Sequence, residues 1–495
     1  MGAFSRTLLA GSLAAGLVAC STVKDGAAAY DLDFSKQKYT EQSLEVNGRS
    51  VKFRAYEGIV YVRNPVDTKY EIINIYVPEA YYSGGSVGGF TAETAPIFFP
   101  NQIGGYMPAE PGKPGFGRGG EASQTPNAAL TALSKGYVVA SPGARGRTAA
   151  NGKAPAAIVD LKAAVRYLKF NDKAMPGDAG KIISNGTSAG GALSALLGAT
   201  GNSRDYETHL KALGAAEGGD DIFAVSAYCP ITDLDHADMA YEWQFNGVND
   251  YKKMNISMLD YRVKRELVAG TLTDDEKKLS DLLKPLYPAY LNSLNLKSPE
   301  GKPLTLDAQG NGSFKNHIAG LLAQSAQAQL DAGKDLSDRA WLTVRNGKVV
   351  SVDFDAYAKA AGRQKTPPAF DGVDLSAGEN QLFGTNTVDK RHFTAFSMQH
   401  NTAANAEIAD EETIKIMNPL NYIGKPGINL PQNWRIRVGT NDRDTSLAVS
   451  AVLAAKLQNN GQTVDYALPW DVEHGGDYDL DELFAWMRQV SSSAK

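Results

Sequence analysis

Cysteine is nearly absent: Cys20 and Cys229 are the two in 495 residues. A disulfide framework is thereby excluded, and stability must come from a packed core. No block of like charge interrupts the chain, and acidic residues outnumber basic ones, 55 to 50. The formal net charge of −5 lacks the basic excess that nucleic-acid binding needs. The apolar stretch at residues 8–18 is too short to span a bilayer. Histidine is scarce, at six residues, which shortens any search for a catalytic base. What remains is 43% hydrophobic and 21% charged, the composition of a globular chain with a large core.

The first residues read as a processing segment. Arg6 precedes the apolar stretch, which ends in Leu17-Val-Ala-Cys20, the charged, apolar and small-residue order of a signal peptide. The last four residues resemble the bacterial lipobox, which implies lipidation at Cys20 and an exported protein anchored to the cell envelope. Ser21 and Thr22 follow without an Asp, as in lipoproteins sent to an outer membrane. Residues 1–20 are therefore expected to be a signal peptide and residues 21–40 a tether. Cys229 ends an apolar run and reads as an inert core thiol.

Beyond the tether, strand-like and helix-like patterns alternate. Strands are expected at 70–77, 95–99, 136–140 and 181–184, and helices at 128–135, 156–169 and 192–199. This order predicts a mostly parallel, doubly wound sheet. It breaks after Asp233, where the chain turns more polar, with a helix near 318–332 and an Asn346-Gly347 hairpin signal. Strand-helix order resumes with 434–439, 446–458, 464–468 and 480–490. The expected organisation is a sheet domain in two parts, 41–232 and 401–495, interrupted by an inserted lid at 233–400.

Gly186-Thr-Ser188-Ala-Gly190 matches the G-x-S-x-G nucleophile elbow, and it sits where that motif must sit, between a strand and a helix. The turn would expose Ser188 Oγ and place the Ala189 N–H at a helix N-terminus, ready for an oxyanion. The base should come late in the chain, between the last strand and the last helix. Of the six histidines only His474, followed by Gly475-Gly476, lies there. The acid should follow the preceding strand, where Asp442 and Asp444 stand two residues apart. Asp442 is assigned to His474, with Asp444 lining the adjoining substrate pocket or capping the next helix. Gly104-Gly105, after an earlier strand, supplies the second oxyanion donor. Asp233-Leu-Asp235-His236-Ala-Asp238 has metal-like composition but not the spacing of a zinc motif, and reads as a loop-capping cluster.

Four segments together resemble bacterial tannases, the tannin acyl hydrolases of the α/β-hydrolase superfamily. They are Phe99-Pro-Asn-Gln-Ile-Gly-Gly-Tyr-Met107, Gly186-Thr-Ser-Ala-Gly-Gly191, Gly439-Thr-Asn-Asp-Arg-Asp-Thr-Ser446 and His474-Gly-Gly-Asp-Tyr-Asp-Leu480. The resemblance implies an α/β-hydrolase fold with a large inserted lid, a Ser188–His474–Asp442 triad, and hydrolysis of galloyl esters. It also implies that Lys365, Glu379 and Asp444 hold the three ring hydroxyls. Carboxylates accepting from phenols and an ammonium donating to a phenolic oxygen make chemical sense of that set. No metal or organic cofactor is expected. The partners expected are a small galloyl ester and a membrane reached through the anchor, with no nucleic acid, and the chain is expected to act as a monomer. A feruloyl or other aryl carboxylesterase, and a non-catalytic polyphenol-binding lipoprotein, are the alternatives the residues leave open.

Overall fold

The computed structural model describes residues 29–117, 125–259 and 262–493. Seven strands come first: β1 (Thr40–Val46), β2 (Arg49–Val60), β3 (Ile72–Pro78), β4 (Pro96–Pro100), β5 (Val138–Pro142), β6 (Asp178–Thr187) and β7 (Ala224–Tyr228). Two hairpins follow, β8 (Asp250–Leu259) with β9 (Arg262–Thr271) and β10 (Leu342–Arg345) with β11 (Lys348–Val352). The chain closes with β12 (Asn433–Arg437) and β13 (Thr463–Ala467).

Nine strands form one sheet in the order β1-β2-β3-β5-β4-β6-β7-β12-β13. From β5 to β13 all neighbours are parallel, whereas β1, β2 and β3 pair antiparallel at one edge. Strands β4, β5 and β7 are buried along their whole length. Helices cover both faces of a sheet of this kind, so its inner strands read as unbroken apolar runs. Among the described residues, no strand of the sheet lies between Tyr228 and Asn433. The intervening chain forms the two hairpins and several helices, the longest being Ser313–Asp331. This is the α/β-hydrolase architecture with a large insertion between β7 and β12. Asn346 and Gly347 both adopt positive φ, as a two-residue hairpin turn requires.

The tether differs from expectation. Leu32 and Phe34 are buried, Tyr30 N donates to Arg63 O, and Phe34 N donates to Asn171 Oδ1. Buried side chains and backbone hydrogen bonds together seat this stretch on the core, so packed chain begins well before residue 40. The expected signal peptide and lipidation site at Cys20 lie outside the described residues. No helix among those described is long and apolar enough to cross a membrane.

The helix that follows Ser188 is buried on every side, from Ala189 to Ala199. Its far end is secured by a buried ion cluster. Lys162 Nζ donates to Thr200 O and to Asp220 Oδ1, each at 2.7 Å. Arg166 adds Nε and Nη2 to Asp220 Oδ2 at 3.0 and 2.9 Å. Removing one member of such a group leaves buried charge uncompensated. Asp220→Ala is therefore expected to lower unfolding free energy by about 3–5 kcal/mol. Urea denaturation checks this, and a midpoint unchanged from wild type would contradict it.

Candidate active site

Each residue singled out around the elbow stands just past the carboxyl end of a parallel strand, where open α/β sheets bind ligands. Ser188 follows β6 with φ 59° and ψ −122°, a conformation that side chains rarely adopt. Surrounding packing enforces it. A Cβ on Gly186 would lie 2.3 Å from Gly190 O, and one on Gly190 would lie 2.6 Å from Ile103 O. Only glycine lets strand, turn and helix approach this closely.

The loops after β12 and β13 are clasped together. Thr440 N donates to Pro469 O and Asn441 N to Val472 O. That clasp brings Asp442 to His474: His474 Nδ1–H donates to Asp442 Oδ2 at 2.8 Å. On the other side of the ring, His474 Nε2 is 2.8 Å from Ser188 Oγ. Asp442 is fully buried, and its Oδ1 accepts Asp444 N at 2.9 Å. Burial by itself would lower the His474 pKa. The Asp442 charge and hydrogen bond, a contact with Cys229 and the nearby Asp444 charge instead raise it well above the ordinary 6.5.

Ala189 opens the helix after Ser188, so its N–H is one of the first-turn donors that the helix leaves without a partner. The Gly104-Gly105 loop is stapled to the elbow by Asn101. Its Nδ2 donates to Gly190 O and Ser194 Oγ, each at 3.1 Å, and its Oδ1 accepts Ile103 N at 3.2 Å. Arg147 Nε donates to Gly105 O at 2.6 Å, and its Nη1 reaches Gln381 Oε1 in the insertion at 2.6 Å. Sequence reasoning gave Asn101 and Arg147 no role. Asn101 stands within the Phe99-Pro-Asn-Gln segment, but a staple between residues this far apart leaves no local signal.

The insertion meets this site through two segments. Lys365 Nζ lies 3.5 Å from Asp444 Oδ2 and 4.0 Å from the centroid of the Phe370 ring. Gln364 Nε2 donates to Asp444 Oδ1 at 3.3 Å, and Asp444 Oδ2 is 3.4 Å from His474 Nε2. Burial disfavours the Asp444 carboxylate, but the Lys365 and His474 charges outweigh it and hold its pKa below the usual carboxylate range. Glu379 stands on the short helix Gly378–Leu382. Burial raises its pKa; Lys365 and Arg147 oppose that rise, and Asp444 adds to it. Asp444 does not cap the following helix, because Ser446 does so by accepting Ala448 N.

Cys229 is buried, but it is not remote from the chemistry. It lies past the end of β7 with φ 38°, its Sγ 3.8 Å from His474 Nε2 and donating to Gly475 O at 3.4 Å. Burial pushes the thiol pKa up, which keeps it protonated and poorly nucleophilic. Among the described residues, two donor groups are compact enough for a metal: Cys229 with Asp442 and His474, and Asp233 with Asp235 and His236. In the second, Asp233 already accepts from His236 at 2.7 Å, Asn418 at 2.6 Å and the Tyr290 hydroxyl. Asp238 accepts Phe370 N at 2.7 Å and Asp371 N at 3.1 Å, tying two parts of the insertion together, the stretch at Phe370 and the helix Leu234–Phe245.

The BD-FAE family model matches residues 115–272. No curated protein sequence matches the chain. Among solved structures, the tannase of Fusobacterium nucleatum is 52% identical, with a TM-score of 0.89 over 93% of this chain and 100% of its own. The tannase of Lactobacillus plantarum is 45% identical, with a TM-score of 0.88 over 93% of this chain and 99% of its own. A tannin acyl hydrolase in complex with ethyl gallate is 44% identical, with a TM-score of 0.85 over 93% of this chain and 99% of its own. Identity at this level across nearly the whole of each chain, on the same fold, leaves one assignment: the chain belongs to the tannase family of α/β-hydrolases and is a carboxylic ester hydrolase.

Proposed function

We propose that this chain releases gallic acid from galloyl esters by acyl transfer through Ser188. The observation that carries the proposal is the continuous hydrogen-bonded line from Asp442 through His474 to Ser188, with the Lys365–Asp444 pair beside its outer end. His474 Nε2 takes the proton of Ser188 as Oγ attacks the ester carbonyl. The resulting oxyanion is received by the N–H of Ala189 and by the Gly104-Gly105 loop. Collapse expels the alcohol, protonated by His474, and a water molecule then repeats the sequence on the acyl-enzyme. Asp442 holds the imidazole in the tautomer that leaves Nε2 free to accept.

Lys365, Glu379 and Asp444 take the three ring hydroxyls. Ring phenols satisfy these partly buried charges, whereas an ester lacking the hydroxyls leaves them unpaired. A relative's complex with ethyl gallate supports this substrate class. The same reading has the chain exported and held to the envelope by a lipid on Cys20.

Steady-state hydrolysis of methyl gallate, methyl ferulate and methyl benzoate tests the proposal. Methyl gallate is expected to exceed methyl benzoate in kcat/KM by at least about 100-fold. Comparable turnover of all three esters would leave an esterase but remove the ring clamp.

A further inference from the structure

We infer that Tyr241 is a positioning residue, one that fixes the spacing between Lys365 and Asp444 and so sets preference for a trihydroxylated ring. The inference rests on the ring-clamp reading above. Lys365 belongs to the insertion and Asp444 to the loop after β12, two stretches of chain that must keep register for a clamp to work.

One oxygen joins them. Tyr241 is fully buried on the helix Leu234–Phe245. Its hydroxyl accepts Gln364 N and Lys365 N, both at 3.0 Å, and donates to Arg443 O at 2.8 Å. A phenol has one donor and two acceptor positions, and all three are used here. The partners are the backbone groups of the clamp cation and its neighbour, and of the residue just before the clamp anion.

A second contact completes the hold on Lys365. Arg363 Nε donates to Lys365 O at 2.9 Å, while Nη1 donates to Val248 O at 3.2 Å and Nη2 to the Glu242 carboxylate. Arg363 and Glu242 are both buried. With its N–H and C=O pinned, Lys365 presents its ammonium to Asp444 from a fixed backbone.

Tyr241→Phe removes that oxygen and keeps the ring, which packs 4.7 Å from Phe245 and 6.3 Å from Phe370 between centroids. The readout is the ratio of kcat/KM for methyl gallate to that for methyl benzoate, with the two constants resolved for each ester. Tyr241→Phe is expected to lower this ratio about tenfold, chiefly through KM for methyl gallate. Arg363→Lys keeps the charge facing Glu242 but loses the Nε–H that donates to Lys365 O. It is expected to shift the ratio in the same direction, and it decides the matter if Tyr241→Phe does not fold. A ratio unchanged in the variants overturns the inference, whether both rates hold or both fall together. A common fall would assign Tyr241 to the support of the triad loop or the fold. A wild-type enzyme without gallate preference is a separate outcome: it removes the ring clamp itself, and this inference with it.

Discussion

Asp442→Asn is expected to lower kcat on methyl gallate by about four orders of magnitude while Ser188, His474 and the fold stay in place. Asp442 Oδ2 accepts from His474 Nδ1, and that arrangement puts the ring proton on Nδ1 and the lone pair on Nε2. An asparagine can turn its NH2 toward Nδ1 instead. Nδ1 then becomes the acceptor, the proton moves to Nε2, and Ser188 faces a donor where it needs a base. The carboxylate that would stabilise the imidazolium during attack is lost as well. Steady-state kinetics, with thermal unfolding to show that the variant is folded, check this expectation. Two carboxylates approach His474, so the experiment also separates them: retention of activity within about tenfold would transfer the orienting role away from Asp442. Geometry favours Asp442, since Asp444 Oδ2 lies near Nε2 at 3.4 Å and not on the Nδ1 side.

The parts of this site that could be read from the sequence are those whose signal is local. An elbow needs a strand, small residues and a helix in direct succession, and residues 181–199 display all three. Asp442 and His474 are each identified by following a strand and preceding a helix, and the structure brings both to Ser188. What stayed hidden depends on contacts between distant segments. Cys229 reads as an ordinary core thiol because nothing near it in sequence announces His474, 245 positions away. Tyr241 sits in a helix of mixed polarity, and its three backbone partners lie more than a hundred residues further on. Lys365 and Glu379 stand out only through family resemblance, because a lysine and a glutamate in a polar insertion have no periodicity that distinguishes them from surface charge.

Regular structure follows the same division. The Asn346-Gly347 hairpin carries its own turn chemistry and was expected. The hairpin of β8 and β9 lacks an Asn-Gly type turn, and the alternation of Met254-Asn-Ile-Ser-Met258 has no counterpart in Arg262-Val-Lys-Arg-Glu266. Its strands are specified mainly by pairing with each other, which a one-dimensional pattern does not reveal. Leu32 and Phe34 were assigned to a tether for a related reason. Tyr30-Asp-Leu-Asp-Phe34 alternates over only five residues, too short a run to mark it off from a tether, although Leu32 and Phe34 each find a buried place on the core.

Asp444→Asn is expected to leave two signatures that different esters separate. The first concerns the ring. Replacing the carboxylate by a neutral amide removes a charge-assisted acceptor for a phenol, a loss of about 1.5–3 kcal/mol, or about 10- to 150-fold in kcat/KM for methyl gallate. Methyl benzoate offers no hydroxyl there and should be spared this loss. The second signature concerns pH and appears with either ester. His474 acts as a base only when neutral, so kcat/KM rises with pH through its pKa. That pKa stands above 6.5; burial opposes the rise, and Asp442, Cys229 and Asp444 supply it. Removing the Asp444 charge weakens the stabilisation of the imidazolium, lowers the pKa and moves the rising limb toward acid pH. At a pH on the limb, the variant should therefore lose less activity on methyl benzoate than expected from structural damage, or even gain. Profiles of kcat/KM against pH for both esters measure both effects. A rising limb unmoved from wild type would mean that Asp444 is electrostatically silent at His474, and equal losses on the two esters would mean that it does not read the ring.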